Sequence, residues 1–128
     1  MPSLSQDKSS ENFHEGKPGF VYFRFSIARW FFSARQDAAS ILKFFQPVHK
    51  FIDDSIAGGH NVLIHCLAGA HRAGTTGISY LMHAADLERT KAITAAKRCR
   101  PIIDPISSLG ELLVLYQSAR EVRKEVKK

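Results

Sequence analysis

The run Asn61-Val62-Leu63-Ile64-His65-Cys66-Leu67-Ala68-Gly69-Ala70-His71-Arg72 carries more structural information than any other part of this chain. Its apolar opening predicts a buried strand over residues 60–65, and the helix-compatible residues Ala73 to Ala85 follow closely. A strand that delivers a cysteine into a tight loop at a helix N-terminus forms a phosphate site. The loop N–H groups point inward, and the helix dipole adds positive potential at its start. Cys66 supplies a nucleophile. Arg72, six positions later, supplies a planar fork matched to two phosphate oxygens. The cysteine–arginine spacing alone is weak evidence; the strand, Gly69 and the helix around it make it specific.

Outward from this run, strands alternate with helices. Residues 1–19 are polar and read as a disordered lead-in. Phe20 to Ile27 is aromatic and β-branched and reads as a strand. Residues 28–39 read as a loop bearing Trp30-Phe31-Phe32, which either lines a pocket mouth or joins the core; the usual burial of large aromatics favours the core. Ser40 to Ala57 has apolar residues at helical spacing, with Pro47 as an internal complication and Gly58-Gly59 as the stop. Further helices are expected over Thr90–Arg100, ended by Pro101, and Ser107–Lys124, with Cys99 on a core-facing helix surface. The alternation predicts an α/β fold with a mostly parallel sheet. Residues 20–120 form the folded unit, and residues 121–128 a basic C-terminal tail.

Composition agrees. The chain has 128 residues, 45% apolar and 23% charged, enough for one globular domain. No apolar stretch reaches the ~20 residues of a membrane helix, and the first residues lack a signal-peptide core. Two distant cysteines suggest a reducing compartment rather than a disulfide framework. The net charge is +6, partly concentrated after Arg120. Glutamates interrupt that run and no aromatics interleave it, so a solvated helix end is favoured over nucleic-acid or lipid binding. His60, His65, His71 and Cys66 match no usual zinc-ligand spacing, so no metal site and no cofactor are expected.

The His65-Cys66 pair, five residues and Arg72 resemble the signature of the cysteine-based protein phosphatases, most closely the dual-specificity branch. Arg100-Pro101-Ile102-Ile103-Asp104-Pro105 with Leu109 to Leu113 resembles that family's approach to its last helix. Ser40 to Phe45, continuing to Asp53, resembles the helix before its active-site strand. The resemblance covers roughly residues 20–118. It implies a three-layer α/β sandwich. Only the polar lead-in stands where that family has further strands before residue 20, so either that segment is an unusual substitute or the fold is shortened at the N-terminus and its active-site strand lacks a usual neighbour. The resemblance also implies hydrolysis of phosphate monoesters on phosphoproteins, at phosphotyrosine, phosphoserine or phosphothreonine, through a phosphocysteine.

In that chemistry Cys66 attacks phosphorus as a thiolate favoured by the helix N-terminus and Arg72. The backbone N–H groups of Leu67, Ala68, Gly69, Ala70, His71 and Arg72 hold the equatorial oxygens. By the resemblance, His65 orients the cysteine. The family's general acid is an aspartate on a loop before the cysteine. Asp37 is the only carboxylate between Glu15 and Asp53, which makes it the candidate by elimination. The other reading of Asp37 is a helix-start residue favoured by the dipole. Ala73 stands where the family usually has Ser or Thr, and slow hydrolysis of the phosphoenzyme follows as an expectation. Thr75 and Thr76 are expected to point elsewhere. The expected partner is a phosphoprotein, met in the cytoplasm or nucleus, without nucleic acid or membrane insertion; the oligomeric state is left open. A catalytically weak phosphoprotein-binding module is the alternative reading.

Overall fold

Three short strands form a parallel sheet in the computed structural model, which describes residues 3–5, 21–27, 37–66, 71–105 and 107–126. In chain order the elements are β1 (Ser3–Ser5), β2 (Tyr22–Arg24), α1 (Ala38–Ala57), β3 (Leu63–His65), α2 (Arg72–Ala85), α3 (Arg89–Cys99) and α4 (Ser107–Val126). The sheet order is β2-β1-β3, with Leu4 opposite Phe23 on one side and Ile64 on the other. The α/β reading and the parallel sheet agree with the sequence.

Two strand expectations need correction. Ser3–Ser5 is a central strand rather than part of a disordered lead-in, so β3 does have a neighbour. Ser-Leu-Ser is too short and polar to signal a strand by periodicity. Its main chain is satisfied from both sides by β2 and β3, which its own side chains do not advertise. β3 is also not the buried strand expected: Leu63 is exposed, and Ile64 and His65 are half-buried. Residues 6–20, with most of the expected lead-in, and Trp30-Phe31-Phe32 lie outside the described residues.

α1 runs unbroken through Pro47. Pro47 and Lys43 are exposed, so the Lys43 carbonyl, deprived of its helical partner, can be hydrated. The opposite face buries Ile41, Phe45, Val48, His49 and Ile52. At the C-terminus Gly59 adopts φ +81°, His60 N donates to Ser55 O, and Gly59 N donates to Ile56 O. This is a Schellman stop, and the positive φ explains the glycine.

The core lies where α1, α2 and α4 meet, around Phe45, Ile52, Ile78, Met82, Leu112 and Leu113. α2 ends at Asp86, held left-handed at φ 52° with its carboxylate on Arg120 and Lys124 of α4. α4 is therefore helical through Val126, across most of the expected basic tail. Lys127 and Lys128 lie outside the described residues. Cys99 is exposed at the end of α3, contrary to the expected core position. α3 buries Ala92 and Ala96 and packs the half-buried Ile93 against the core, so that contact is made without the cysteine.

Candidate active site

Parallel strands place all their C-terminal ends at one edge of the sheet, the edge where open α/β sheets take their ligands. Cys66 follows β3 directly at that edge and is half-buried. Arg72 is the first residue of α2, also half-buried, and α2 packs on β3. Leu67, Ala68, Gly69 and Ala70, which span the interval, lie outside the described residues. α1 returns the chain from β2 to the start of β3, so its N-terminus must lie at the same edge as Cys66. Asp37, the residue before α1, is thereby brought to that edge.

The start of α2 suits an anion. It has no acidic residue in its first turn, and the His71 side chain does not cap it. Its first N–H groups and its dipole are thus not neutralised from within the helix. α1 differs: Asp37 caps it, with Oδ1 accepting from Ser40 N at 2.9 Å. The helix-start reading of Asp37 is therefore realised, and its location at the ligand edge keeps the acid role open. Thr75 Oγ1 donates to His71 O at 2.6 Å and Thr76 Oγ1 to Arg72 O at 3.1 Å. Both hydroxyls thus bond back along the helix, as expected, and Ala73 offers none. His65 is half-buried as the last residue of β3.

A profile of the dual specificity phosphatase catalytic domain matches residues 7–119. The chain belongs to the dual specificity phosphatase family. Human dual specificity protein phosphatase 9 is 32% identical over 111 residues, 85% of this chain. Mouse dual specificity protein phosphatase 19 is 34% identical over 82 residues, 64% of this chain. The chain spans 27% and 37% of those two proteins' own lengths. Among solved structures, human DUSP28 superposes with a TM-score of 0.75 at 20% identity, covering 95% of this chain and 80% of that one. Human tyrosine phosphatase-like serine/threonine/tyrosine-interacting protein gives 0.69 at 22% identity, covering 93% and 76%. These two support the fold of this dual specificity phosphatase domain.

Sequence reasoning missed a second polar cluster in this phosphatase domain. His49 is buried in α1, stacked on Phe45 and on His83, with ring centroids 5.4 and 4.8 Å away. Ser79 donates its hydroxyl proton to Thr76 O at 2.6 Å, so His49 Nε2 must be the donor to Ser79 Oγ at 2.9 Å. Nδ1 is then the acceptor, facing Tyr116 OH at 3.3 Å. His83 Nε2 and Tyr80 OH both donate to Asp53, each at 2.7 Å. Burial first, then the neighbouring His83, pushes the His49 pKa down to about 3. Burial and the Asp53 hydrogen bond push Tyr80 up to about 12. Desolvation opposes ionisation of Asp53, but the bonds from His83 and Tyr80 together hold its carboxyl below the usual range.

This cluster borders a cleft of about 430 Å³ lined by Leu42, His49, Asp53, His83, Tyr116 and Arg123, among others. None of the expected catalytic residues lines it. Its buried polar groups are bonded to one another and join three helices, which is a structural use. The only advance signal was His49 and Asp53 one turn apart on α1, facing Ser79, Tyr80 and His83 on α2.

Proposed function

We propose that this domain hydrolyses phosphate monoesters on phosphoproteins, with Cys66 as nucleophile. The observation that carries the reading is Cys66 at the exit of β3, with Arg72 opening α2, the helix that packs on β3 and that the His71 side chain does not cap. The Cys66 thiolate attacks phosphorus, the P–O bond to the substrate breaks, and Asp37 gives its proton to the departing oxygen. Arg72 and the loop N–H groups from Leu67 to His71 hold the three equatorial oxygens, where charge spreads in the transition state. Water then attacks the phosphocysteine, giving a proton to the Asp37 carboxylate; the S–P bond breaks, phosphate leaves and the thiolate is restored. His65 orients the sulfur. Neither cysteine forms a disulfide, which suits a reducing cytoplasmic or nuclear setting.

Ala73 favours one second reading, a phosphoprotein-binding module with little turnover. The next hydroxyls along α2, on Thr75 and Thr76, donate to the helix carbonyls of His71 and Arg72.

The deciding experiment is hydrolysis of a small aryl phosphate by the folded chain and by Cys66→Ser. Turnover in the parent that vanishes in the variant is the expected result. A folded parent that binds vanadate without turnover would move the assignment to the binding module.

A further inference from the structure

His71 occupies the N-cap position of α2, where a short polar side chain would ordinarily fold back onto the first helical N–H groups. Its side chain makes no such bond. Nδ1 lies instead 2.7 Å from the main-chain oxygen of Asp104. A carbonyl only accepts, so Nδ1 carries the proton and donates it. The His71 carbonyl meanwhile accepts from Thr75 N at 2.9 Å and from Thr75 Oγ1 at 2.6 Å. The residue is gripped on two sides, its main chain by α2 and its ring by residues 100–105.

That segment is itself wedged in place. Ile103 N donates to Arg100 O at 3.1 Å. The Ile103 side chain lies so close to Gly74 that a Cβ there would sit 2.9 Å from Ile103 Cγ2. The Pro105 carbonyl approaches Gly110 equally closely, since a Cβ there would also sit at 2.9 Å. Residues 100–105 are thus pinned between the first turns of α2 and α4.

We propose that His71 is a positioning residue, whose Nδ1–H bond to the Asp104 carbonyl fixes the end of the phosphate loop to this pinned segment and so aims Arg72 and the first N–H groups of α2 at the phosphate. The inference rests on the phosphatase reading above. The His71 side chain makes no bond to the first turn of α2, so it is not anchored from within the helix. The anchor must come from outside the helix, and the Asp104 carbonyl supplies it. A small displacement of such a loop is costly, since misplacement by ~1 Å can remove ~10²-fold in rate.

Two measurements test this. Nitrogen-edited NMR of the folded chain should find the His71 ring protonated at Nδ1; a ring protonated only at Nε2 overturns the proposal whatever the activity. Kinetics on an aryl phosphate, with vanadate as inhibitor, should then compare His71→Leu and His71→Asn. H71L should lower kcat/KM by about 10- to 100-fold and weaken vanadate in proportion, with the melting temperature held. H71N, whose Nδ2 can donate from nearly the same place, should recover most of both. Unchanged kcat/KM in H71L overturns the role, as does a loss that follows the melting temperature and is not rescued in H71N. A wild-type chain that melts cooperatively yet neither turns over nor binds vanadate overturns the phosphatase reading, and the positioning role with it, while the Nδ1–H result stands separately.

Discussion

Asp37 has two candidate duties, and a single pair of substitutions separates them. As the cap of α1 it accepts from Ser40 N, and asparagine does this as well as aspartate. As the general acid it must hold a proton that asparagine cannot give. Asp37→Asn should therefore leave the melting temperature unchanged and lower turnover by about 10²–10⁴-fold. Asp37→Ala should add a stability loss of about 1 kcal/mol. Full activity in Asp37→Asn would leave Asp37 as a cap only. Ala73 poses the complementary question for the second step. Rapid mixing with an aryl phosphate should give a burst followed by a slow steady state, and Ala73→Ser should raise the steady rate while leaving the burst. Linear progress from the first turnover would rule out slow phosphoenzyme hydrolysis. The pattern from Cys66 to Arg72 is what put forward the proposed nucleophile and anion clamp, because each proposal depends on a side chain and a local turn. Asp37 was reachable only by elimination, since its duty depends on which edge of the sheet α1 starts from.

At the scale of elements, α2 carries two glycines on which neighbouring surfaces make opposite demands. Gly74 faces Ile103, and an added Cβ would meet a β-branched side chain whose Cγ2, Cγ1 and Cβ lie 2.9, 3.3 and 3.4 Å away. Gly74→Ala should therefore cost about 1–3 kcal/mol, despite alanine's better helix propensity. Among the described residues, an added Cβ at Gly77 would have only Ile64 Cδ1 near it, at 4.0 Å. Gly77→Ala should instead stabilise the domain by about 0.5–1 kcal/mol, through the lower backbone entropy cost of alanine in a helix. Urea melts of the two variants should move in opposite directions; a shared direction would mean that propensity alone governs α2. The helices were readable in advance to within two residues at every end. Apolar residues three and four apart recur through α1, and Gly58-Gly59 marks its end. β1 was unreadable for the opposite reason: a three-residue central strand is specified by its neighbours' hydrogen-bonding edges.

Across the whole molecule, the junction of α1, α2 and α4 couples stability to pH. His49 stays neutral when folded, with burial as the main cause and a pKa near 3, whereas an unfolded histidine takes up its proton near 6.5. Below 6.5 the unfolded state thus binds more protons, and stability falls as pH drops from 6.5 towards 3. The loss should reach about 2 kcal/mol by pH 5. Asp53, held below its ordinary 3.8, adds to the loss only at still lower pH. Urea melts at pH 7 and pH 5 should show the change, and His49→Phe should flatten it; an unaltered slope in that variant would place the titrating group elsewhere. Length, the strand–loop–helix run around Cys66 and the helical periodicities determined by themselves the fold class and the family, and singled out Cys66 as the nucleophile to propose, because these depend on residues close together in the chain. Only the tertiary structure decided that Ser3–Ser5 joins the sheet, that His49 is locked neutral between three helices, and that His71 bonds to Asp104. Each of these pairings joins residues far apart in sequence, and no local pattern encodes which distant surface a side chain or strand edge will meet.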